Sequence, residues 1–209
     1  MAERNKHLYS LLSHPAVYLA VQRLFRSEAT QSRLLELLDL RAGERILDVG
    51  CGPATFLRRL PADVAYIGFE PNPAYVAQAR AEFGTRGEFH VGYFDEAAAQ
   101  TIPAVDAVLA KAVLHHMSDD EANALFNIAA KVLKPGGRVV SVDPAYIENQ
   151  NSISRFIISR DRGRNVRSPE AYEALARTAF LEVAGSVVSR TFPPYDYCVM
   201  AARKPHVPQ

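Results

Sequence analysis

The sequence predicts an α/β fold: a mostly parallel sheet with helices on both faces, ending in an antiparallel hairpin. Three observations carry that reading. Short apolar runs alternate with helical stretches along the chain, the pattern of a parallel sheet built by crossover helices. The first run, "ILDV", leads into the glycine turn "GCGPAT". The last two runs have no helix between them, so they pair directly.

The elements follow in order. Val17, Val21, Leu24 and Phe25 recur at helical spacing, as do Leu34, Leu35 and Leu38, giving two amphipathic helices before the first strand. Strands are expected over Arg45 to Val49, Ala65 to Glu70, Phe89 to Phe94, Asp106 to Ala110 and Arg138 to Asp143. The glycine turn leads into the start of a helix. Asn72 before Pro73 supplies an N-cap and a first-turn proline for a helix through Phe83. "SDDE", Ser118 to Glu121, is a capping box ahead of the apolar stripe Leu125, Ile128, Ala129, Val132 and Leu133, which Pro135-Gly136-Gly137 stops. Ser168-Pro169 starts a helix running to about Thr178. Leu181 to Ser189 and Tyr195 to Ala202, linked through "TFPP", form the hairpin at the end of the sheet.

Length and composition bound the function. A chain of 209 residues can bury one full α/β core, so a single domain is expected. A net charge of +1 gives no global pull toward nucleic acid or an anionic membrane. No uncharged apolar run is long enough for a transmembrane helix. His14 and Pro15 interrupt the apolar part of the start, and no small-residue cleavage site follows, which argues against a signal peptide. Cys51 and Cys198 lie too far apart in sequence to suggest a metal or disulfide framework. These features suit a soluble protein of a reducing cytoplasm.

The glycine turn is where chemistry enters. In an open α/β sheet, ligands bind outside the carboxyl ends of the strands, where a glycine turn lets backbone N–H groups approach. Gly50 and Gly52 are placed for that role, although a glycine pair can also serve only to tighten a turn. Glu70 ends the second strand, 18 residues beyond Gly52, where a carboxylate can accept from both hydroxyls of a ribose. Together they describe an adenosine site. A pyrophosphate-binding turn wants Gly or Ala three residues after the second glycine, and Thr55 stands there, a poor match to a dinucleotide fingerprint.

Four segments, "ILDVGCGPATFL", "IGFEPN", "DAVLAKAVLHHM" and "VLKPGGRVVSVDP", fall in the order and spacing of the class I S-adenosylmethionine-dependent methyltransferases. The chain resembles their small bacterial members of the ubiquinone-biosynthesis type. The resemblance implies a Rossmann-like sheet of seven strands and S-adenosylmethionine as cofactor, with S-adenosylhomocysteine as product. It implies that Asp48, Gly50, Cys51 and Gly52 surround the methionine portion, Asp48 acting through water or the amino group. Glu70 would take the ribose hydroxyls, with Pro71 and Asn72 flanking the adenine. Ala110 and Lys111 would approach the amino group by backbone carbonyl. Ala54 stands where many relatives have a third glycine. After the third strand, where relatives often place an acidic residue for the adenine amino group, this chain has Tyr93. Either Asp95 reaches back, or Phe94 and backbone groups hold the base.

Methyl transfer asks for alignment, removal of water and, for a hydroxyl acceptor, a base. His115 and His116, after the fourth strand, are the base candidates, with His115 favoured; structural packing is the other reading of both. Residues 155 to 167 hold five arginines against one aspartate. Arg160, Arg162, Arg164 and Arg167 are therefore candidate anchors for a phosphorylated or carboxylated acceptor, the bland alternative being a solvated loop or internal ion pairs. Tyr146, just past the fifth strand, and Tyr9, in the N-terminal helices, are further acceptor-side candidates. "FPPY", Phe192 to Tyr195, imitates the motif of nucleic-acid amine methyltransferases but sits in the hairpin, so nucleic acid is not expected as substrate.

The expectation is thus one methyltransferase domain over residues 1–209, with a helical cap at 1–43, a core at 44–209 and an arginine-rich insertion at about 147–167. It acts on a small-molecule acceptor, with oxygen favoured and no metal. A non-catalytic S-adenosylmethionine-binding sensor or partner subunit is the second reading, and an NAD-dependent oxidoreductase the third.

Overall fold

The computed structural model describes residues 28–161 and 163–205. The helix expected through Val17 to Phe25, Tyr9 before it, and Arg162 lie outside the described residues.

The seven strands form one sheet in the order β3-β2-β1-β4-β5-β7-β6. They are β1 (Arg45–Val49), β2 (Ala65–Glu70), β3 (Glu88–Val91), β4 (Val105–Lys111), β5 (Leu133–Pro144), β6 (Glu182–Arg190) and β7 (Tyr195–Arg203). The first five run parallel, while β7 pairs antiparallel with β5 and β6. The expected mostly parallel sheet with a terminal hairpin is what forms. β7 enters between β5 and β6, so the hairpin occupies the edge.

Alternation along each strand divides the core between the two faces of the sheet. Leu47, Val49, Val108 and Val139 pack with Leu125, Phe126, Tyr172 and Leu175, from helices α4 (Asp119–Val132) and α6 (Pro169–Ala176). Ile46, Leu109, Val140 and Val142 pack with Leu34, Leu38, Val76 and Ala79, from α1 (Glu28–Leu38) and α2 (Pro73–Phe83). Two shorter helices, α3 (Glu96–Ala99) and α5 (Ser152–Ser159), lie after β3 and β5. Among the described residues, no helix is long and apolar enough to cross a membrane.

Local chemistry sets the helix starts as expected. Asn72 accepts from the Ala74 N–H ahead of Pro73. Ser118 and Glu121 complete their reciprocal capping box. Ser168 caps α6 by accepting from the Ala171 N–H. Several boundaries differ from expectation, among them the start of β5, which begins at Leu133 rather than Arg138 and takes Pro135-Gly136-Gly137 into the strand. The helix after the glycine turn is only a 3-10 helix, Thr55–Arg59, because Pro61 disfavours helical geometry at Leu60, which is extended. β3 stops at Val91, where Gly92 takes φ +141° and its N–H donates to the Glu70 carbonyl. Helix α6 ends at Ala176, short of Thr178.

Two side-chain ties fix the edges of this frame. Arg138 on β5 is buried, and its guanidinium donates to the carbonyls of Leu38 and Asp39 and to the Glu44 carboxylate. It thereby satisfies the open carbonyls at the end of α1. On the outer strand β6, the Gly185 N–H donates to Glu173 Oε1 at 2.9 Å, and Arg177 donates to the Val183 carbonyl at 2.8 Å. Helix α6 thus covers part of an edge that would otherwise invite further pairing.

Candidate functional site

The sheet reverses direction of growth between β1 and β4, and the crevice at their carboxyl ends is where such folds bind ligands. Gly50 turns away from β1 with φ +67°, and a Cβ there would stand 2.7 Å from Val113 Cγ2. The segment after β4 therefore lies directly against the turn, and only glycine gives both the left-handed backbone and the close approach. Ala54 also takes a left-handed backbone, φ +54°, at the start of the 3-10 helix. That conformation costs an L-residue about 1–2 kcal/mol relative to its preferred region.

Glu70 closes the far side of the turn. The Gly52 N–H donates to its Oε2 at 3.0 Å and the Asn72 N–H to its Oε1 at 2.8 Å, so its carboxylate is oriented at both oxygens. Asp48 lies beneath the turn, almost fully buried. Its Oδ2 accepts from the Tyr66 hydroxyl at 2.6 Å, whereas Oδ1 is buried with no partner. Burial pushes the Asp48 carboxyl up to about 6, against the pull of Tyr66 and Lys111 and with a push from Glu70. A buried acceptor oxygen left open beside a glycine cradle fits a ligand that brings a donor, ideally a charged one.

The other expected cofactor residues surround this centre unevenly. Burial raises the Cys51 thiol far above its usual range, with Asp48 and Glu70 adding to the shift. Ala110 is buried at the end of β4, opposite Val49 and Ser141, and Lys111 follows half-buried. Pro71 is exposed and Asn72 half-buried, with the Asn72 side chain committed to its cap. Beyond β3, Tyr93 is 74% exposed, whereas Phe94 is buried and tilted on Phe69, with ring centroids 5.4 Å apart. Asp95 caps α3, its Oδ1 accepting from the Ala98 N–H at 2.8 Å.

The two histidines lie on the 3-10 turn Leu114–His116 and differ sharply. His115 is buried, its Nδ1 is 2.8 Å from Asp143 Oδ1 and its Nε2 is 3.3 Å from Asp161 Oδ1. Its backbone N–H also donates to Asp143. Burial opposes its charge, but Asp143 and Asp161 outweigh that and raise its pKa to about 9. His116 is exposed, its ring centroid 4.0 Å from that of His115.

The arginines divide as well. Arg167 spends its guanidinium inside the protein, on Asp119 and on the carbonyls of Leu114, Asn165 and Met117. Arg160 and Arg164 are exposed, Arg160 standing 5.1 Å over the Phe156 ring. Tyr146 is half-buried beneath Arg155, 5.1 Å from its ring. The residues that sequence reading passed over are Tyr66, Asp143, Asp161 and Tyr195. Tyr66 becomes visible only when β1 and β2 are set in register. Asp161 was counted only as the lone acid in an arginine-rich run.

Comparison with known proteins agrees with the fold and the turn. Residues 46–137 match a family model described as a methyltransferase domain. The chain is 34% identical over 102 residues to the ubiquinone biosynthesis O-methyltransferase of Xanthomonas axonopodis pv. citri, a match covering 47% of this chain and 42% of that protein. It is 29% identical over 173 residues to the methyltransferase GfsG of Streptomyces halstedii, covering 75% and 59% respectively. Among solved structures, phosphoethanolamine N-methyltransferase 2 of Haemonchus contortus, in complex with phosphomonomethylethanolamine and S-adenosylhomocysteine, superposes with a TM-score of 0.73. That likeness has 17% identity and covers 93% of this chain and 58% of that one. The chain spans less than half the length of the curated relatives it matches first.

Proposed function

We propose that this chain, whose residues 46–137 match a family model described as a methyltransferase domain, transfers a methyl group from S-adenosylmethionine to a small-molecule acceptor, with oxygen the favoured acceptor atom. The observation that carries the reading is the pair of carboxylates around the glycine turn. Asp48 has one buried acceptor oxygen without a partner, and Glu70 is fixed at both oxygens by the N–H groups of Gly52 and Asn72.

S-adenosylmethionine supplies a methyl group on a sulfonium, already electrophilic. The residues of the chain bind and orient. Asp48 takes the amino group directly or through water, and proximity to that cation favours its ionised form. Gly50, Cys51 and Gly52 lie against the methionine portion, and Glu70 accepts from the ribose hydroxyls. Phe94 and backbone groups, rather than the cap-engaged Asp95, suit the adenine side. Ala110 and Lys111 offer backbone carbonyls to the amino group from β4.

On the acceptor side, His116 suits the role of base better than His115, because both ring nitrogens of His115 face carboxylates. Of the candidate arginines among the described residues, Arg160 and Arg164 are exposed and suit an anionic acceptor, whereas Arg167 serves internally. The Xanthomonas relative favours oxygen by its name, and the phosphorylated compound in the Haemonchus complex favours an anion. The free Cys51 and Cys198 suit a reducing cytoplasm.

Calorimetric titration with S-adenosylmethionine, S-adenosylhomocysteine and NAD, on the natural chain and on Glu70→Ala, tests the reading. Micromolar binding of both sulfur ligands, weakened at least ~10-fold by the variant through loss of charged hydrogen bonds, is expected, with no binding of NAD. Folded protein that ignores both sulfur ligands would overturn it.

A further inference from the structure

One buried cluster lies beside the cofactor crevice and is not part of it. His115 joins the turn after β4 to the segment after α5. Asp143, at the end of β5, accepts from the inner side of its ring, and Asp161 faces the outer side. Asp161 is itself fully occupied: its Oδ1 accepts from the Gly163 N–H at 2.9 Å and its Oδ2 from the Tyr195 hydroxyl at 2.9 Å. These donors, with His115, outweigh burial and hold its carboxyl well below the usual range. Both ring nitrogens thus face a carboxylate, Nδ1 2.8 Å from Asp143 and Nε2 3.3 Å from Asp161, and the imidazolium is the form that offers each of them a proton. The two carboxylates together favour that charged form over the opposing effect of burial, and an imidazolium has no lone pair with which to accept a proton from an acceptor.

The contact extends beyond the ion pair. A Cβ on Gly163 would lie 1.9 Å from His115 Cδ2, so the chain passes flat against the imidazole. The Asn165 N–H donates to the His115 carbonyl at 3.0 Å, and Arg167 binds the carbonyls of Leu114 and Met117 on the same turn. Val113, two residues before His115, is the residue that abuts Gly50.

We propose that Asp161 and His115 are positioning residues: their buried ion pair fastens the segment bearing Arg160 and Arg164 to the turn beside the cofactor crevice. The proposal deepens the methyltransferase reading and rests on it for the meaning of the crevice.

The groups at the His115 ring are Asp143 from β5, Asp161 from the segment after α5 and His116 beside it; around them Arg167 binds the carbonyls of Leu114 and Met117, Tyr172 from α6 the carbonyl of Pro144, and Tyr195 from β7 the Asp161 carboxylate. The test combines histidine-ring 15N NMR with tryptic digestion, each with and without S-adenosylhomocysteine. In the natural chain, both ring nitrogens of His115 are expected to be protonated at pH 7 and to titrate near pH 9. Asp161→Asn should move the His115 midpoint down by at least about one pH unit. It should also speed cleavage after Arg160 and Arg164 about tenfold, the equivalent of one lost charge-assisted hydrogen bond, and Asp161→Glu should recover part of both effects.

A bare nitrogen on His115 at pH 7 in the natural chain overturns the proposal without any variant. So does Asp161→Asn that folds, binds S-adenosylhomocysteine as the natural chain does, and is cut no faster. If the natural chain fails to bind S-adenosylhomocysteine yet shows the charged His115 and the strengthened cleavage of the variant, the methyltransferase reading falls and the ion pair stands as structure alone.

Discussion

At the scale of single residues, the crevice holds charge at a cost to stability. Asp48 is buried with one oxygen unpartnered, and its carboxyl is raised from 3.8 to about 6. A carboxyl raised on folding favours the protonated form, so its contribution is greatest below pH 3.8 and is lost as the pH rises through 6. At pH 8 the ionised group therefore opposes folding, by an amount on the order of 2–3 kcal/mol for a shift of this size. Asp48→Asn, which keeps an acceptor for the Tyr66 hydroxyl, is expected to be more stable than the natural chain at pH 8 in urea unfolding, and to lose cofactor affinity. A variant less stable at pH 8 than the natural chain would show that the burial cost has been misjudged. Glu70 was singled out from its position at a strand end, a local property, and Asp48 from the family resemblance, and the structure sets both carboxylates against the glycine turn. The sequence concealed Tyr66, whose hydroxyl reaches Asp48 across the ladder, and Asp161, whose role depends on the fold bringing it to His115.

At the scale of elements, boundaries written in capping chemistry were legible. Asn72-Pro73, Ser118 to Glu121 and Ser168-Pro169 each satisfy orphan N–H groups within one turn, so nothing distant is needed to read them. The helix after the glycine turn was misjudged because apolar spacing in "TFLRRL" is the same in a 3-10 turn, and Pro61 decides the outcome. The partial cover of β6 by Glu173 and Arg177 had no sequence signature at all, since it depends on α6 lying along the sheet edge. That cover yields a prediction. Glu173→Ala leaves the Gly185 N–H without its acceptor and frees Arg177 from its carboxylate. The variant should lose about 1 kcal/mol of stability and self-associate at lower concentration than the natural chain in sedimentation velocity. Identical concentration dependence of the two proteins would mean that the edge is protected by other means.

At the scale of the whole molecule, the mostly parallel sheet and its terminal hairpin followed from alternation, the glycine turn and the family resemblance, whereas the order of the strands, with β7 inserted between β5 and β6, is a matter of topology that apolar runs do not encode. A ligand that binds only the folded chain stabilises it by mass action, by about 2.7 kcal/mol at a hundred times its Kd. For a chain of this length that corresponds to roughly 5–10 °C in the unfolding midpoint. Thermal denaturation with S-adenosylhomocysteine at that excess should show such a rise and none with NAD; equal midpoints with and without the sulfur ligand would count against the proposed cofactor. The sheet also has a seam. Strands β3, β2 and β1 lie on one side and β4, β5, β7 and β6 on the other, joined through the ladder from Ile46↔Ala107 to Val49↔Ala110. Gly50 and Glu70 stand on one bank at its upper end and Ala110 on the other. A ligand spanning the two acts as a rivet, and the amide hydrogens of the β1–β4 ladder are where its grip would be felt as slowed exchange with solvent.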